Sequence, residues 1–486
     1  MIKFIASISF DSHQKEGKNI ALIVQPLYII SWPFYMMALG LFLRKKGKKV
    51  TYIVDDSNFE KNRLLYELKM VIIKRCMRTL SVKGFNVVSL SDIQVSNEES
   101  CISSGELMAF AHMQAIWFTR GEMEIAEREK EYTKNLQKLT SVARAIESTV
   151  RDTDAERIIV AGGIVGTSGI YLKCGKVLNI PVSTIDGGVG VNLMSNSGPA
   201  AQLTDITVAF KSFPEDEKHY AYQAAGEQLK KRMDGKDTFA YQTKRIEDKQ
   251  HESGSILLLL NSVWDQAALG LHALYPGMNE WIVQTVKWVV ENTEETIIVR
   301  QHPAERNKIV STKDDYKKLL EPFIGHERVV FVAADNDINT YGLIHKSKVV
   351  IAYSTTTALE TTMIGKPVIT VSNCYYSELG FVYKPKSLEE YYSYIRDGVS
   401  GRLVLSESQK NDAALCYYLS QVCNWVFTDF TATMEDFVKW VKMDPETIYL
   451  LPEIQEMLDA FISGTPISLI RHKINFYRSQ ADKYSD

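Results

Sequence analysis

Cysteine is scarce in this chain. Six are spread through 486 residues, at 76, 101, 174, 374, 416 and 423, with no C-x-x-C pair. That spacing excludes a disulfide framework and a cysteine-based zinc site, and fits a reducing compartment. An excess of one charge is also lacking: 56 Lys and Arg stand against 59 Asp and Glu, a net charge of −3. Nucleic-acid binding needs a basic face, so no nucleic-acid partner is expected. Internal repeats and low-complexity segments are absent. Met1 to Lys18 has no cleavable apolar core with a small-residue exit, so no signal peptide is expected.

Long hydrophobic runs are limited to one. Ile20 to Leu43 holds no charged residue, which is long enough to span a bilayer. Gln25-Pro26, Ser31 and Trp32-Pro33 interrupt it. Its first part, Ile20 to Val24, reads as a strand, and Phe34 to Leu43 reads as a helix ending at Arg44-Lys45-Lys46-Gly47. A second strand, Val50 to Val54, ends at Asp55-Asp56. Strand, loop, helix, strand is a βαβ start, and this reading is preferred to a membrane span.

The alternation continues. Val87 to Leu90 reads as a short strand, Gly105 to Val150 as helix, and Arg157 to Ala161 as a strand. Gly162-Gly163 follows, with a helix through Leu178. Pro181 to Ile185 is the next strand and delivers Asp186-Gly187-Gly188. A basic, aperiodic stretch from Gln228 to Gly254 reads as a solvated helix and linker. A second alternation starts at Ser255 to Leu260. It continues with helix Asn279 to Glu291 and strands Thr296 to Val299, Val329 to Val332, Val349 to Ala352 and Val368 to Val371. From Leu388 onward the pattern is helical. The fold class is therefore α/β, with two Rossmann-like doubly wound domains facing a cleft and a helical C-terminal segment. The expected boundaries are 1–250, 251–405 and 406–486, with part of the last segment expected to pack back on the N-terminal domain.

Ligands in such sheets bind beyond the carboxyl ends of the strands. Gln25-Pro26, Gly162-Gly163, Asp186, Asn261, His302 and Ser354 all stand there. The run from Tyr353 to Ile369 is the most informative. Its hydroxyls, Ser354, Thr355 and Thr356, lie where a strand becomes a helix, and helix N-termini suit phosphate. Glu360 is placed to reach ribose hydroxyls. Thr357-x-x-Glu360 also has the form of a capping box, which needs no ligand. Upstream stands Arg300-Gln301-His302-Pro303-Ala304-Glu305.

Arg300-x-His302-Pro303-x-Glu305 and the block from Ser354 to Pro367 resemble the capsule polysaccharide biosynthesis group of GT-B glycosyltransferases, which includes Kdo transferases. Asp186-Gly187, His302-Pro303 and Ser354-Thr355-Thr356 also resemble, in order, a trio of bacterial sialyltransferase motifs. One carboxylate stands where that first motif has two, because Ile185 precedes Asp186. The resemblance implies a nucleotide-sugar donor, with a CMP-linked acidic sugar such as Kdo or a sialic-acid-like sugar favoured, and a surface-polysaccharide or lipid-linked glycan acceptor. It implies that His302, Ser354, Thr355 and Thr356 bind the donor phosphate. Glu360 would hold the ribose, with Arg300, Pro303 and Asn261 also on the donor side. Asp186 would be the general base of an inverting reaction, or a nucleophile of a retaining one. Gln25, Gly162, Gly163, Gly187 and Gly188 fall on the acceptor or sugar side.

Competing readings are a UDP-sugar or CDP-polyol transferase, a UDP-GlcNAc 2-epimerase-like enzyme, or a non-catalytic subunit of polysaccharide assembly. No cofactor and no metal are expected: Asp335-Asn336-Asp337 has a D-x-D form, but Asp337 reads as a helix N-cap. The chain is expected in the cytoplasm. The basic and aromatic tail, Ile470 to Tyr484, is a candidate for peripheral contact with the inner membrane, beside the reading as a plain surface helix.

Overall fold

The β-branched runs form strands and the interleaved amphipathic stretches form helices. The structure is a computed structural model of the whole chain, and it describes residues 1–10, 17–26, 31–57, 63–95, 100–122, 125–237, 254–308 and 310–483. The strands in chain order are β1 (Asn19–Val24), β2 (Lys49–Val54), β3 (Asn86–Ser89), β4 (Arg157–Ala161), β5 (Val182–Gly188) and β6 (Val191–Ser195). Then come β7 (Ser255–Leu259), β8 (Ile297–Arg300), β9 (Val329–Val332), β10 (Ser347–Ala352), β11 (Val368–Thr370) and β12 (Val426–Phe427).

These strands form two sheets in two compact units. The first unit comprises Met1–Gln114, Lys130–Asp205 and Cys423–Asp486; the second comprises Ala115–Glu129 and Ile206–Val422. The expected boundaries differ from these. The change of unit falls at 205/206 rather than near 250, because the helix Lys218–Met233 packs against the helix Glu407–Tyr417 of the second unit. The C-terminal segment is divided between the units at 422/423. Residues 423–486 count with the first unit, where β12 pairs with β6.

The first sheet has the order β12-β6-β5-β4-β1-β2-β3, and the second β11-β10-β7-β8-β9. The second sheet is parallel throughout. In the first, β3-β2-β1-β4-β5 is parallel, while β6 pairs antiparallel with β5 and β12 antiparallel with β6. Both parallel sets read 3-2-1-4-5 in order of appearance, the doubly wound arrangement with its switch point between the first and fourth strands. The α/β class and the two Rossmann-like units expected of a GT-B chain are both present.

The run from Ile20 to Leu43 is β1 plus the helix Trp32–Lys45, as expected; residues 27–30 lie outside the described residues. Every helix position from Trp32 to Leu43 is buried. One core cluster explains why. The helix packs with strand residues Leu22, Val24, Tyr52 and Val54 and with Phe430, Trp440 and Phe461 from the C-terminal segment. A helix covered on all sides is apolar all round. No helix among the described residues is long and apolar enough to cross a membrane.

Local departures have local causes. β5 does not stop at Ile185. It continues through Gly188 and turns back over Val189-Gly190 into β6, a two-residue hairpin with Gly190 at φ 71°. The helix expected from Ile338 spans Thr340–Lys346, and its N-cap is Asn339, not Asp337. Asp337 pairs with Arg306 at 2.8 Å on the surface. In the tail helix, Ile467–Lys483, Arg471 pairs with Glu456 at 3.3 Å; Tyr484 lies outside the described residues.

Candidate functional site

Strand register places the chemistry of the second unit. Leu259 pairs with Arg300 and with Ala352. Two residues further along each strand stand Asn261, His302 and Ser354, in one row at the switch point. The Asn261 side-chain oxygen accepts from the Ser354 amide at 3.2 Å. A cavity of about 40 Å³ opens here, lined among others by Arg232, Arg300, His302, Tyr341, Thr355 and Thr357. It has room for about three water-sized groups.

His302 caps the short helix Pro303–Arg306: its Nδ1 accepts from the Ala304 amide at 3.2 Å. A neutral imidazole with Nδ1 accepting carries its proton on Nε2, which is then a donor. Burial, then the charges of Arg300 and Arg232, push the His302 pKa down from 6.5 to about 4. Pro303 fixes the turn behind it and also lines the cavity. Gln301 bridges Glu305 at 2.6 Å and the Ala334 amide at 3.1 Å, tying this loop to the one after β9.

Arg300 is buried and donates to the carbonyls of Ala333 and Ile338 and to the Thr340 hydroxyl. Those bonds brace the loop from β9 to the helix Thr340–Lys346. Its charge still faces the cavity that it lines. Arg306, by contrast, is exposed and bonded to Asp335 and Asp337.

The hydroxyl run divides. Thr355 and Thr357 line the cavity, and the Thr355 hydroxyl accepts from the Thr357 amide at 3.3 Å. Ser354 Oγ is buried and has no hydrogen-bond partner. Thr356 is the N-cap of the helix Thr357–Met363 and makes no side-chain cap bond. The capping-box reading of Thr357 and Glu360 is therefore not realised.

Glu360 is 2% exposed. Its Oε2 accepts from the Tyr341 hydroxyl at 2.8 Å, and its Oε1 lies 3.5 Å from Arg232 Nε. Burial raises its pKa, against the pull of Arg232 and Tyr341. Arg232 also donates to Asp237 at 2.9 Å. Sequence reading assigned Arg232 to a solvated face; it is mostly buried and at the cavity instead. Nothing in the local pattern marks it, because Glu360, its partner behind the cavity, lies far along the chain. Tyr341 was missed for the same reason. Thr357 had a signal, as the next hydroxyl of the run.

The first unit has a row of its own. Val24 pairs with Val54, and Ala161 with Ile185. The next residues, Gln25, Asp55, Gly162 and Asp186, lie at the same edge of the parallel sheet. Gln25 and Asp55 are buried. Gln25 Nε2 donates to the hydroxyls of Thr167, at 2.7 Å, and Ser168, at 3.3 Å, and Thr167 donates to Asp55. This network holds the start of the helix Ser168–Leu178. Burial raises the Asp55 pKa, against the hydrogen bonds of Ser57, Thr167 and Gln25. Gly162 and Gly163 adopt φ of 75° and 104°, which favours glycine.

Asp186 is partly exposed and its carboxylate accepts from the Gly187 amide at 2.8 Å. Gly187 does not simply leave room for substrate. A Cβ there would lie 2.4 Å from the Val191 carbonyl oxygen, so the hairpin itself requires glycine. Gly188 is less confined; its nearest neighbour would be Val191 Cγ1 at 3.7 Å. Among the described residues, no group of three or more His, Cys, Asp or Glu side chains is gathered as metal ligands.

No curated protein matches the chain in sequence. Many solved structures show a looser likeness, among them the following three. KpsC beta Kdo 2,4 transferase of Thermosulfurimonas dismutans is 14% identical over 60% of this chain and 88% of that one, with a TM-score of 0.38. A glycosyltransferase of Rickettsia africae is 10% identical over 88% and 98%, with a TM-score of 0.29. The UDP-GlcNAc 2-epimerase of Neisseria meningitidis, bound to UDP-GlcNAc, is 12% identical over 83% and 96%, with a TM-score of 0.24. The sequence itself is more specific: residues 201–393, which carry Arg232, His302, Ser354 and Glu360, match the capsule polysaccharide biosynthesis protein family, the resemblance drawn from Arg300–Glu305 and Ser354–Pro367.

Proposed function

We propose that this chain is a glycosyltransferase of capsule polysaccharide synthesis, using a nucleotide-activated sugar and a glycan or lipid-linked glycan acceptor. The observation that carries the proposal is the cavity at the second switch point, lined by His302, Arg232 and Arg300 within the span that matches the family. Two cations, an imidazole Nε2–H and the hydroxyls of Thr355 and Thr357 make this a site for a phosphate group. The donor's phosphate would sit there. His302 would donate to a phosphate oxygen while the guanidinium of Arg232 offsets the charge that grows on the leaving nucleotide. Glu360 acts through Arg232, which it orients, rather than by touching the ribose.

Asp186 is proposed as the general base that takes the acceptor hydroxyl proton in an inverting transfer. Of the two carboxylates in the first row it is the more exposed. Asp55 is engaged with Thr167 and Ser57. A CMP-linked acidic sugar remains the favoured donor, because cations at the site suit a donor with an extra carboxylate.

The test is a thermal-shift series with CMP, CDP, UDP and GDP, followed by product analysis by mass spectrometry with CMP-Kdo, CMP-sialic acid and UDP-sugars. A nucleotide that binds the native state raises its stability. Stabilisation by CMP, with sugar transferred to a glycan acceptor, is the expected result. Conversion of a UDP-sugar without any acceptor would favour the epimerase reading and overturn this one. Nucleotide binding without turnover of any donor would leave only a binding subunit.

A further inference from the structure

The helix Arg63–Val82 in the first unit has two apolar faces. Tyr66, Met70, Ile73, Cys76, Met77 and Leu80 are buried in the core. On the opposite side, Leu64 is 70% exposed, Leu68 57%, Val71 66% and Ile72 50%, with Leu65 and Val82 also open. Positions 64, 68, 71, 72 and 82 fall along one stripe of a 3.6-residue helix. Exposed large apolar residues scattered singly are ordinary; Leu64, Leu68, Val71 and Ile72 adjoin on one helix face, and such a cluster marks an interaction surface.

The charges beside the stripe choose its occupant. Arg63, Lys74, Arg75 and Arg78 are exposed on this helix, against a single exposed acid, Glu67. Lys74, Arg75 and Arg78 form no ion pair among the described residues. The chain as a whole is slightly acidic, at −3, so this local excess of cations is a property of the face. We propose that this helix face docks on the surface of an anionic bilayer, with the aliphatic stripe entering the headgroup–acyl boundary and the cations meeting the lipid phosphates. The buried face fixes the helix in the first unit's core, so the cluster from Leu64 to Ile72, about 12 Å long, is presented on a rigid element with Arg75 and Arg78 beyond it. A second copy of this chain fits less well, because it would bring the same cations against them.

The surface is on a different element from the residues of the nucleotide cavity, and stands or falls without it. The test uses the full chain and vesicles of phosphatidylcholine with or without phosphatidylglycerol. The wild type is expected to sediment with the anionic vesicles, less so at high salt, and weakly with the neutral ones. Leu68→Ser with Ile72→Ser, and separately Lys74→Glu with Arg78→Glu, should each lower the partition coefficient by ~10-fold or more. All four side chains are exposed, so both variants should keep the wild-type melting temperature and nucleotide binding. Partitioning that is unchanged in either variant overturns the proposal. So does a wild type that ignores both vesicles. A wild-type dimer in light scattering that Leu68→Ser with Ile72→Ser dissociates, without vesicle binding, would assign the face to a second copy instead.

Discussion

Arg232 Nε lies 3.5 Å from Glu360 Oε1, joining the end of the helix Lys218–Met233 to the helix that follows β10. The guanidinium lines the cavity and the carboxylate stands behind it, held from its other oxygen by Tyr341. The charge that Arg232 brings to the candidate phosphate site is therefore oriented by Glu360, which Tyr341 holds in turn.

Removing either partner should be felt in two ways. Arg232→Ala is expected to weaken nucleotide affinity by ~1.5–3 kcal/mol, the scale of a hydrogen bond to a charged group. Glu360→Ala leaves Asp237 as the remaining carboxylate partner of the guanidinium, so the loss of stability should fall below the ~3–5 kcal/mol of breaking a buried pair outright. Glu360→Gln should keep the Tyr341 bond and lose less of both. Calorimetry with the nucleotide and thermal melts check this. Unchanged affinity in Arg232→Ala would remove it from the site.

His302→Ala should cut transfer by at least ~100-fold, the scale for one preorganised donor, without unfolding the chain. Its acidity makes a second prediction. The folded pKa of about 4 lies below the ordinary 6.5. Between those values the unfolded chain binds the extra proton, so His302 lowers stability as pH falls from about 6.5 to about 4. His302→Ala should flatten that part of the stability–pH curve. An entering phosphate favours the charged imidazole, so nucleotide binding near pH 5 should take up a proton. Calorimetry in buffers of different ionisation enthalpy reads this directly, and no uptake would mean that His302 stays neutral and contributes only its Nε2–H.

Asp186→Asn and Asp55→Asn separate the two carboxylates of the first unit. Asp186→Asn should still bind nucleotide while transfer falls by ~10²–10⁴, the usual share of acid–base catalysis. For Asp55, burial raises the pKa, so its ionised form costs stability at neutral pH and the cost disappears at acid pH. Asp55→Asn should melt at the same temperature or higher. Full transfer activity in Asp186→Asn, with loss in Asp55→Asn, would exchange their roles.

Transfer should survive chelation. The exposed Asp337 is paired with Arg306, and among the described residues no group of three or more His, Cys, Asp or Glu side chains is gathered as metal ligands. Complete loss in EDTA, restored by Mg²⁺ or Mn²⁺, would require a metal site including Asp335 or Asp337.

Much of the architecture was legible because the strands announce themselves locally. Arg157 to Ala161 and Val329 to Val332 were read with their observed bounds, since a short β-branched run ended by turn residues has few alternatives. The row of Asn261, His302 and Ser354 was legible in order, because each follows such a run. The hairpin after Asp186 was not. The strand reading ends at Ile185 and gives Gly187-Gly188 to the acceptor side, although a Gly-Val-Gly turn followed by Val191-Asn192-Leu193-Met194 carries a hairpin signal. Arg232 was illegible for a deeper reason. A single cation in a basic, aperiodic stretch gains its meaning only from Glu360 and Tyr341, and tertiary pairing leaves no trace in local periodicity.

The second unit is spliced into the first, whose sheet is completed by β12 and whose apolar cluster includes Phe430, Trp440, Met457 and Phe461. This has a consequence for synthesis on the ribosome. Chains emerge from the N-terminus and domains fold as units. Residues 206–422 can close while the earlier unit still lacks one edge of its sheet and a wall of its interior. The helix Trp32–Lys45 must then wait, apolar on every side, until the last part of the chain arrives. Nascent chains stalled before residue 423 should be the ones that engage holdases, and a truncation there should aggregate although the second unit is intact.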